Sequence, residues 1–207
     1  QKRAFAQFWS VYGLEYTASV LDFNQIFDNS NSTVIEIGFG NAEQLLFSAE
    51  RETDKNFLGI EVHAPGVGRA LNGIVQSNLS NIRVYQHDAV EVLRNEIADG
   101  SLDEVRIYFP DPWHKKRHHK RRIIQAEFVK LICNKLKPGG MLHLASDWQE
   151  YVEHMWDVCD NEPMLSNSAG LRGSIERPAW RRQTHFETRG QNLGHGVWDL
   201  LYIRQGT

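Results

Sequence analysis

The chain has 207 residues, a formal net charge of −3 and two cysteines. That length suits one domain with a sizeable core. The near-neutral charge excludes a polycation, so affinity for nucleic acid requires a local basic cluster, and two isolated cysteines exclude a disulfide framework or a zinc ribbon.

No segment of the chain predicts a membrane span or a secretory signal. No apolar run approaches the ~20 residues that a transmembrane helix needs, and no signal-peptide pattern opens the sequence. With cysteine usage that fits a reducing compartment, this predicts a cytoplasmic protein without a membrane partner. Because the first residues already fit a helix, we expect the natural protein to carry residues before Gln1.

Aromatic and apolar residues dominate positions 4–27 and predict one or two short helices that cover a sheet or rim a site. Short apolar runs then alternate with segments of helical spacing. The predicted strands are residues 33–37, 57–62, 82–85, 102–109 and 141–146. The predicted helices are residues 43–50, 65–76, 90–97, 123–136 and 151–159.

This alternation predicts an α/β fold with a Rossmann-like, doubly wound and mostly parallel sheet. The C-terminal part differs, because residues 166–182 are irregular and polar, and residues 184–189 and 197–204 predict an antiparallel hairpin that closes the sheet. We predict seven strands in one domain, residues 1–207. In it, residues 1–30 form a helical cover and residues 166–207 form a substrate-side region with the hairpin.

In such sheets, ligands bind beyond the carboxyl ends of the strands. Each predicted parallel strand ends in an acidic residue or a glycine turn. These residues are Gly38, Gly40, Glu61, Asp88, Asp111 and Asp147. Together they predict a ligand site at this edge of the sheet.

The pattern of this edge favours a nucleoside cofactor over a dinucleotide. A dinucleotide fingerprint requires a third glycine where this chain has Glu43, and an acidic side chain there repels a pyrophosphate. Glu61 can accept from ribose hydroxyls and Asp88 from an adenine amino group. The alternative is that both acids only cap the helices that follow. An acidic rim suits the positive sulfonium of S-adenosylmethionine.

Residues 105–122 combine an apolar run, a Pro-Asp-Pro-Trp turn and a basic strip. The two prolines hold Asp111 on a stiff, non-helical turn. Within residues 115–122, six are Lys or Arg and two are His. This strip is either a solvated helix start or a site for an RNA backbone, whose phosphates relieve the repulsion. Four arginines are candidates to extend it: Arg177, Arg181, Arg182 and Arg189.

Aromatic and histidine side chains near the strip have competing interpretations. Trp113 is either a platform for an unstacked base or a packed side chain, and Trp148 is a second platform. Phe109 is a third candidate platform, but for this residue we favour the core of the sheet. His114 and His118 have the spacing of a metal pair, but the surrounding cations oppose it, so we predict no metal. We expect His143 to be an ordinary hydrogen-bonded residue.

Several blocks of the sequence carry a family resemblance. They are residues 36–42 (EIGFGNA), 59–62 (GIEV), 109–113 (FPDPW) with the basic strip, 147–148 (DW) and 184–190 (THFETRG). In this order they resemble bacterial tRNA (guanine-N7-)-methyltransferases of the class I S-adenosylmethionine-dependent superfamily. That family often has glycine at the place of Ala42, so we expect a slightly tighter loop here.

The resemblance implies transfer of a methyl group from S-adenosylmethionine to N7 of a guanosine in the variable loop of tRNA. It implies a cytoplasmic enzyme that is monomeric, with a homodimer as the alternative. The implied cofactor-binding residues are Glu36, Gly38, Gly40, Glu61, Asp88 and Asp111, of which Asp111 is also the catalytic residue. The implied substrate-binding residues are Lys115, Asp147, Thr184, His185, Phe186 and Glu187. The implied RNA-contacting residues are Arg117, His118, His119, Lys120, Arg121 and Arg122.

Chemistry limits the role of Asp111. Guanine N7 has a lone pair and no proton, so its methylation needs no general base. We therefore predict that Asp111 orients the base and stabilises charge without abstracting a proton. Two rival functions stay open: a methyltransferase for another RNA or an amino group, and an RNA-binding module with a vestigial cofactor pocket.

Overall fold

The computed structural model describes residues 2–183, 187 and 196–206. Eight strands form one sheet. They are β1 (Gly13–Leu14), β2 (Ser32–Ile37), β3 (Lys55–Glu61), β4 (Ile82–Gln86), β5 (Leu102–Tyr108), β6 (Leu136–Ser146), β7 (Leu165–Asn167) and β8 (Trp198–Arg204). The strand order is β1-β4-β3-β2-β5-β6-β8-β7. The first six strands pair in parallel, and β8 runs antiparallel to both β6 and β7.

Helices flank this sheet on both faces. They are α1 (Lys2–Tyr12), α2 (Phe23–Phe27), α3 (Glu43–Arg51), α4 (Ala64–Gln76), α5 (Ala89–Glu96), α6 (Ala126–Lys135) and α7 (Gln149–Cys159). A 3₁₀ helix spans Lys116–Arg121. Within the described ranges, no helix combines the length and the apolarity that crossing a membrane requires.

The predicted fold class is confirmed, with local differences at the edges of the sheet. The sheet has eight strands in place of seven, because short β1 pairs with β4 and β7 pairs with β8. Residues 166–182, predicted as irregular, thus begin inside a strand, since Leu165 is buried and its neighbours hydrogen-bond to β8. The strand predicted at residues 184–189 lies outside the described residues except at Glu187, which is helical.

Apolar side chains fill both faces of the sheet. On one face, α5, α6 and α7 pack against alternate strand residues such as Val105, Ile107 and Leu142. On the other face, α1, α3 and α4 pack against Val34 and Phe57. Burial on both faces explains why the central strands read as nearly continuous apolar runs.

The second face becomes polar towards β5, β6 and β8. Strand alternation places a row of polar side chains there: Glu36, Glu104, Arg106, Tyr108, His143 and Asp199. The strand register sets Glu36 beside Arg106 and Arg106 beside His143. This row, which we call the polar row, runs from the cofactor-side strands to the antiparallel edge.

Arg106 lies inside the polar row, between Glu36 and His143. It is 1% exposed and donates to both carboxylate oxygens of Glu104 at 2.7 and 2.9 Å, and to those of Glu52 at 3.0 and 3.2 Å. Burial opposes its charge, but the hydrogen bonds and charges of these acids outweigh burial and hold the pKa of Arg106 above its ordinary value. The guanidinium therefore stays charged inside the protein.

Candidate active site at the carboxyl edge of the sheet

A glycine loop connects β2 to α3. Gly38 and Gly40 have φ of +72° and +56°, a left-handed conformation that glycine adopts without strain. Ala42 shares it, with φ of +67°, and is fully buried. A Cβ built at Gly66 of α4 would lie 2.1 Å from the Gly40 carbonyl oxygen, so the loop and α4 touch backbone to backbone. This backbone contact with α4 therefore fixes the conformation of the glycine loop.

Glu61 joins this loop to the end of β3. Its Oε2 accepts from Gly40 N at 2.9 Å, and its Oε1 accepts from Val62 N at 2.8 Å and His63 N at 2.9 Å. The carboxylate thus braces the start of α4 and the glycine loop together. The hydroxyls of a ribose could donate to the same two oxygens. Glu61 can therefore hold the backbone here and also bind a cofactor.

Asp88 is the N-cap of α5. Its Oδ1 accepts from Val90 N at 2.8 Å and from Glu91 N at 3.1 Å. The capping interpretation is therefore confirmed for this residue. Because both bonds end on Oδ1, the cap leaves Oδ2 to a ligand, and cofactor binding by Asp88 stays a prediction.

Glu36 lies at the base of a cavity of about 510 Å³ between the glycine loop and residues 181–183. The side chain is buried, and its Oε2 has no hydrogen-bond partner among the described residues. Burial raises the pKa of the Glu36 carboxyl to about 8, while Arg106 lowers it and Glu104 raises it. A buried, unpartnered carboxyl oxygen is costly, which indicates a ligand as its partner.

The Pro-Asp-Pro-Trp turn leaves the sheet at the end of β5. Phe109 and Trp113 have φ of +51° and +48°, and Asp111 Oδ1 accepts from Trp113 N at 2.9 Å. Asp111 is exposed at the tip, on the stiff turn that the sequence predicts. The expectation that Phe109 lies in the core is wrong, because β5 ends before it and its backbone turns left-handed. Its half-buried ring lines the cavity.

The 3₁₀ helix carries the middle of the basic strip, residues 116–121. Five cationic side chains of the strip are exposed: Lys115, Lys116, Arg117, Lys120 and Arg121. The half-buried Trp113 ring contacts two members of the strip: the Arg121 guanidinium lies 4.9 Å from its centre, and the His118 ring is nearly perpendicular to it with 5.8 Å between ring centres. Trp113 thus packs against the strip.

Arg122 departs from the rest of the strip. It is 3% exposed, its Nε donates to Pro112 O at 2.8 Å, and its Nη2 donates to Glu150 at 3.3 Å. Its guanidinium also lies 4.8 Å from the Tyr151 ring centre. Burial in these contacts contradicts the prediction that Arg122 touches RNA. It fastens the turn to α7. His119 Nε2 lies 3.2 Å from the same Glu150 carboxylate.

The predicted substrate-binding residues fall into three groups. Lys115 and Asp147 are exposed, and Asp147 lines a cleft with Trp148 and Trp198. Glu187 is buried and accepts from Arg181 Nη2 at 2.7 Å. Thr184, His185 and Phe186 lie outside the described residues. The structure therefore brings Lys115 and Asp147 to the carboxyl edge and ties Glu187 to Arg181.

Arg181 does not extend the basic surface, contrary to the expectation from the sequence. It is 1% exposed, because its guanidinium is bound to two buried acids, Asp199 and Glu187. Its Nε and Nη2 donate to the two oxygens of Asp199 at 2.5 and 2.7 Å. His143 accepts from Tyr108 Oη at 2.8 Å and reaches Asp199 at 2.9 Å, so its expected ordinary hydrogen-bonded role is confirmed.

The sequence of this chain is similar to those of known methyltransferases. A protein-family model described as "Putative methyltransferase" matches residues 30–200. A tRNA (guanine-N(7)-)-methyltransferase of Xanthomonas oryzae pv. oryzae (strain MAFF 311018) is 59% identical over 204 residues, covering 99% of this chain and 81% of that protein. Its counterpart in Xanthomonas euvesicatoria pv. vesicatoria (strain 85-10) is 59% identical over 204 residues, covering 99% of this chain and 60% of that protein.

The structural comparison addresses the fold alone. The 16S rRNA methyltransferase KamB matches with a TM-score of 0.65 at 10% identity, covering 91% of this chain and 95% of that chain. The sequence relatives, by contrast, span nearly all of this chain at high identity. The chain therefore belongs to the family of bacterial tRNA (guanine-N7-)-methyltransferases, within the class I methyltransferase fold.

Proposed function

We propose that this protein transfers a methyl group from S-adenosylmethionine to N7 of a guanosine in the variable loop of tRNA. One arrangement carries the proposal: a cavity with a glycine loop and an unpartnered buried carboxyl lies beside the exposed Asp111 turn and the basic strip. The close relatives that bear the name of this activity support it.

The residues around the cavity fit this cofactor. When bound, the cofactor supplies an electrophilic methyl group on a positively charged sulfur. The glycine loop admits a ligand without Cβ interference, and the Glu36 Oε2 atom provides a buried acceptor that has no partner in the described part of the chain. Glu61 and Asp88, at the ends of the next two strands, provide the acceptors for ribose and adenine.

Asp111 and Asp147 act on the base. The lone pair of N7 attacks directly, so the protein has to align the base and exclude competing orientations. Positive charge grows on the guanine ring during transfer, and the carboxylate of Asp111 stabilises it. Asp147, at the end of the adjacent strand, accepts from the ring N–H or the exocyclic amine.

The exposed part of the basic strip binds the tRNA backbone. Its lysines and arginines lie beside the Asp111 turn, so phosphates bound there set the position of the base relative to the cavity. Buried Arg122 keeps the 3₁₀ helix in place and binds no phosphate. We place the enzyme in the cytoplasm as a monomer. Both cysteines are buried and unpaired as thiols, which fits a reducing compartment.

The test is a nucleoside digest. Transfer RNA from cells that lack the protein should contain no 7-methylguanosine, and purified protein with S-adenosylmethionine should restore it to that tRNA. Restoration of a different methylated nucleoside would support the rival methyltransferase. A protein that shows no saturable binding of S-adenosylmethionine would support the RNA-binding module. Light scattering of the purified protein tests the monomer.

The basic strip predicts a specific salt dependence. Replacement of exposed Lys120 by Gln should make the slope of log K against log salt for tRNA binding shallower by about 0.7–0.9, because one phosphate contact is lost. Arg51→Gln, which removes an exposed arginine at the end of α3 away from the strip, should leave the slope unchanged. Filter binding from low to moderate salt measures both. Equal slopes for Lys120→Gln and wild type would exclude Lys120 as a phosphate contact.

The buried carboxyl of Glu36 predicts proton release on cofactor binding. With a pKa of about 8, Glu36 is protonated in the free protein at pH 7, and a cationic ligand at its unpartnered oxygen favours the carboxylate. Binding of S-adenosylmethionine at pH 7 should therefore release most of one proton. At pH 9 the carboxyl is already ionised while the α-amine of the ligand is largely neutral, so binding as the ammonium should instead take up a proton. Calorimetry in buffers of different ionisation enthalpy measures this number.

Two variants separate Glu36 from other groups at the cavity. Glu36→Gln should bind without proton release, because the amide does not titrate in this range. Glu43→Gln, at the exposed rim of the same cavity, should keep the release of wild type. Proton release that persists in Glu36→Gln would assign it to another group.

A further inference from the structure

Two residues that line the same cavity each carry a buried polar atom without a partner. The residues are Glu36 and Arg181, and the atoms are Glu36 Oε2 and Arg181 Nη1, neither of which has a hydrogen-bond partner among the described residues. One is an acceptor and the other a donor. Leaving either atom unsatisfied in the interior costs free energy, so the pair indicates a ligand that carries a donor and an acceptor together.

The other nitrogens of Arg181 are already committed. Nε and Nη2 donate to Asp199 at 2.5 and 2.7 Å, and Nη2 also donates to Glu187 at 2.7 Å. Burial opposes the charge of Arg181, but these hydrogen bonds and acids raise its pKa above the ordinary value. The guanidinium is therefore charged and fixed in orientation, and Nη1 is its one nitrogen without a partner among the residues that the structure describes.

Further hydrogen bonds fix Asp199, the partner of Arg181. Asp199 is itself bound by His143 Nε2 at 2.9 Å, and His143 Nδ1 accepts from Tyr108 Oη at 2.8 Å and Trp180 Nε1 at 3.2 Å. Burial lowers the pKa of His143 in spite of Asp199. A neutral imidazole then donates through Nε2 and accepts through Nδ1, as these contacts require.

The Arg181 guanidinium also lies 5.4 Å from the centre of the Phe109 ring. Phe109 is the first residue of the turn that carries Asp111. Arg181 and Phe109 both line the cavity, which therefore extends to the start of this turn. Arg181 is bound to Asp199 of β8, whereas Glu36 belongs to β2, so the two side chains approach the cavity from strands on opposite sides of β5.

We propose that Glu36 and Arg181 bind the α-amino-acid end of the cofactor, with Glu36 Oε2 on the ammonium and Arg181 Nη1 on the carboxylate. The inference rests on the proposed function, since it assigns the ends of the cofactor named there. Asp199 and Glu187 neutralise the charge of Arg181. Arg181 therefore contributes mainly a directed hydrogen bond to the carboxylate of the cofactor and little long-range electrostatic attraction. Loss of that bond should weaken binding by about 10- to 100-fold.

The test compares two ligands with two variants. S-adenosylhomocysteine carries the carboxylate, and S-adenosyl-3-thiopropylamine lacks it but keeps the ammonium. Wild type should bind the first about 10- to 100-fold more tightly. Arg181→Lys keeps a charge for Asp199 and Glu187 but lacks Nη1, so its preference should fall to within about threefold. Arg182→Lys, half-exposed at the rim of the cavity, should keep the preference of wild type.

The outcomes separate this inference from the proposed function. Saturable binding of S-adenosylhomocysteine with an unchanged preference in Arg181→Lys overturns the inference alone. A wild type that does not bind S-adenosylhomocysteine overturns both. If Arg181→Lys does not fold, a crystal structure of wild type with S-adenosylhomocysteine decides. A carboxylate oxygen about 3 Å from Nη1 supports the inference, and a carboxylate bound elsewhere, or guanine O6 at Nη1 in a tRNA complex, overturns it.

Discussion

Asp111→Asn should slow methyl transfer in a single turnover by about 100-fold or more. The asparagine retains an oxygen that can accept from Trp113 N, the bond that Asp111 Oδ1 makes at 2.9 Å. The turn should therefore keep its shape while the negative charge beside the guanine is lost. Rapid-quench measurement with saturating tRNA and S-adenosylmethionine gives the rate of the chemical step.

The control and a solvent isotope test sharpen this prediction. Asp54→Asn changes an exposed acid beside the start of β3, at the opposite edge of the sheet, and should leave the rate unchanged. Because N7 carries no proton, no proton moves in the chemical step, so the single-turnover rate should be the same in H₂O and D₂O. A slower rate in D₂O for wild type, absent in Asp111→Asn, would show that Asp111 acts as a base.

The carboxyl edge of the sheet was predictable because its signals are local. Glycines after a strand and an acid before a helix are short-range patterns, and the two prolines around Asp111 restrict the chain wherever it lies. Parallel strands bring these ends together without any knowledge of side-chain contacts. The strand pattern alone does not say which ligand the residues at the strand ends bind. The family resemblance supplies that assignment.

The assignments of Arg122 and Arg181 are wrong because the partners of these residues are distant in sequence, and the assignment of Phe109 is wrong for a different reason. Arg181 meets Asp199, and Arg122 meets Glu150, across turns that no local pattern describes. A run of Lys, Arg and His residues does not indicate which of its side chains is buried. Phe109 depends on where β5 stops, and strand ends are the least certain part of such a prediction.

The polar row did have a signal in the sequence. Glu104 and Arg106 alternate with apolar residues in a strand that otherwise reads as fully buried. Two charges of opposite sign at positions i and i+2 of one strand share a face, and this predicts a buried ion pair. The register extends the row, since Arg106 stands between Glu36 and His143 on the neighbouring strands. The row therefore connects a structural ion pair to the cofactor cavity.

Replacement of Arg106 by Met should lower the free energy of unfolding by about 3–5 kcal/mol. The variant leaves the carboxylates of Glu104 and Glu52 without their main partner, and Glu104 is 1% exposed. Arg94→Met, an exposed arginine of α5, should change stability by less than about 0.5 kcal/mol. Urea unfolding followed by circular dichroism gives both values.

The same variant also affects the cavity. Arg106 lowers the pKa of Glu36, so its loss should raise that pKa and shift the pH range of proton release on cofactor binding upwards. The double variant Glu104→Gln with Arg106→Met removes both charges, and should recover part of the stability lost in Arg106→Met alone. A loss below about 1 kcal/mol in Arg106→Met would show that solvent reaches these acids, and the polar row would then carry no buried ion pair.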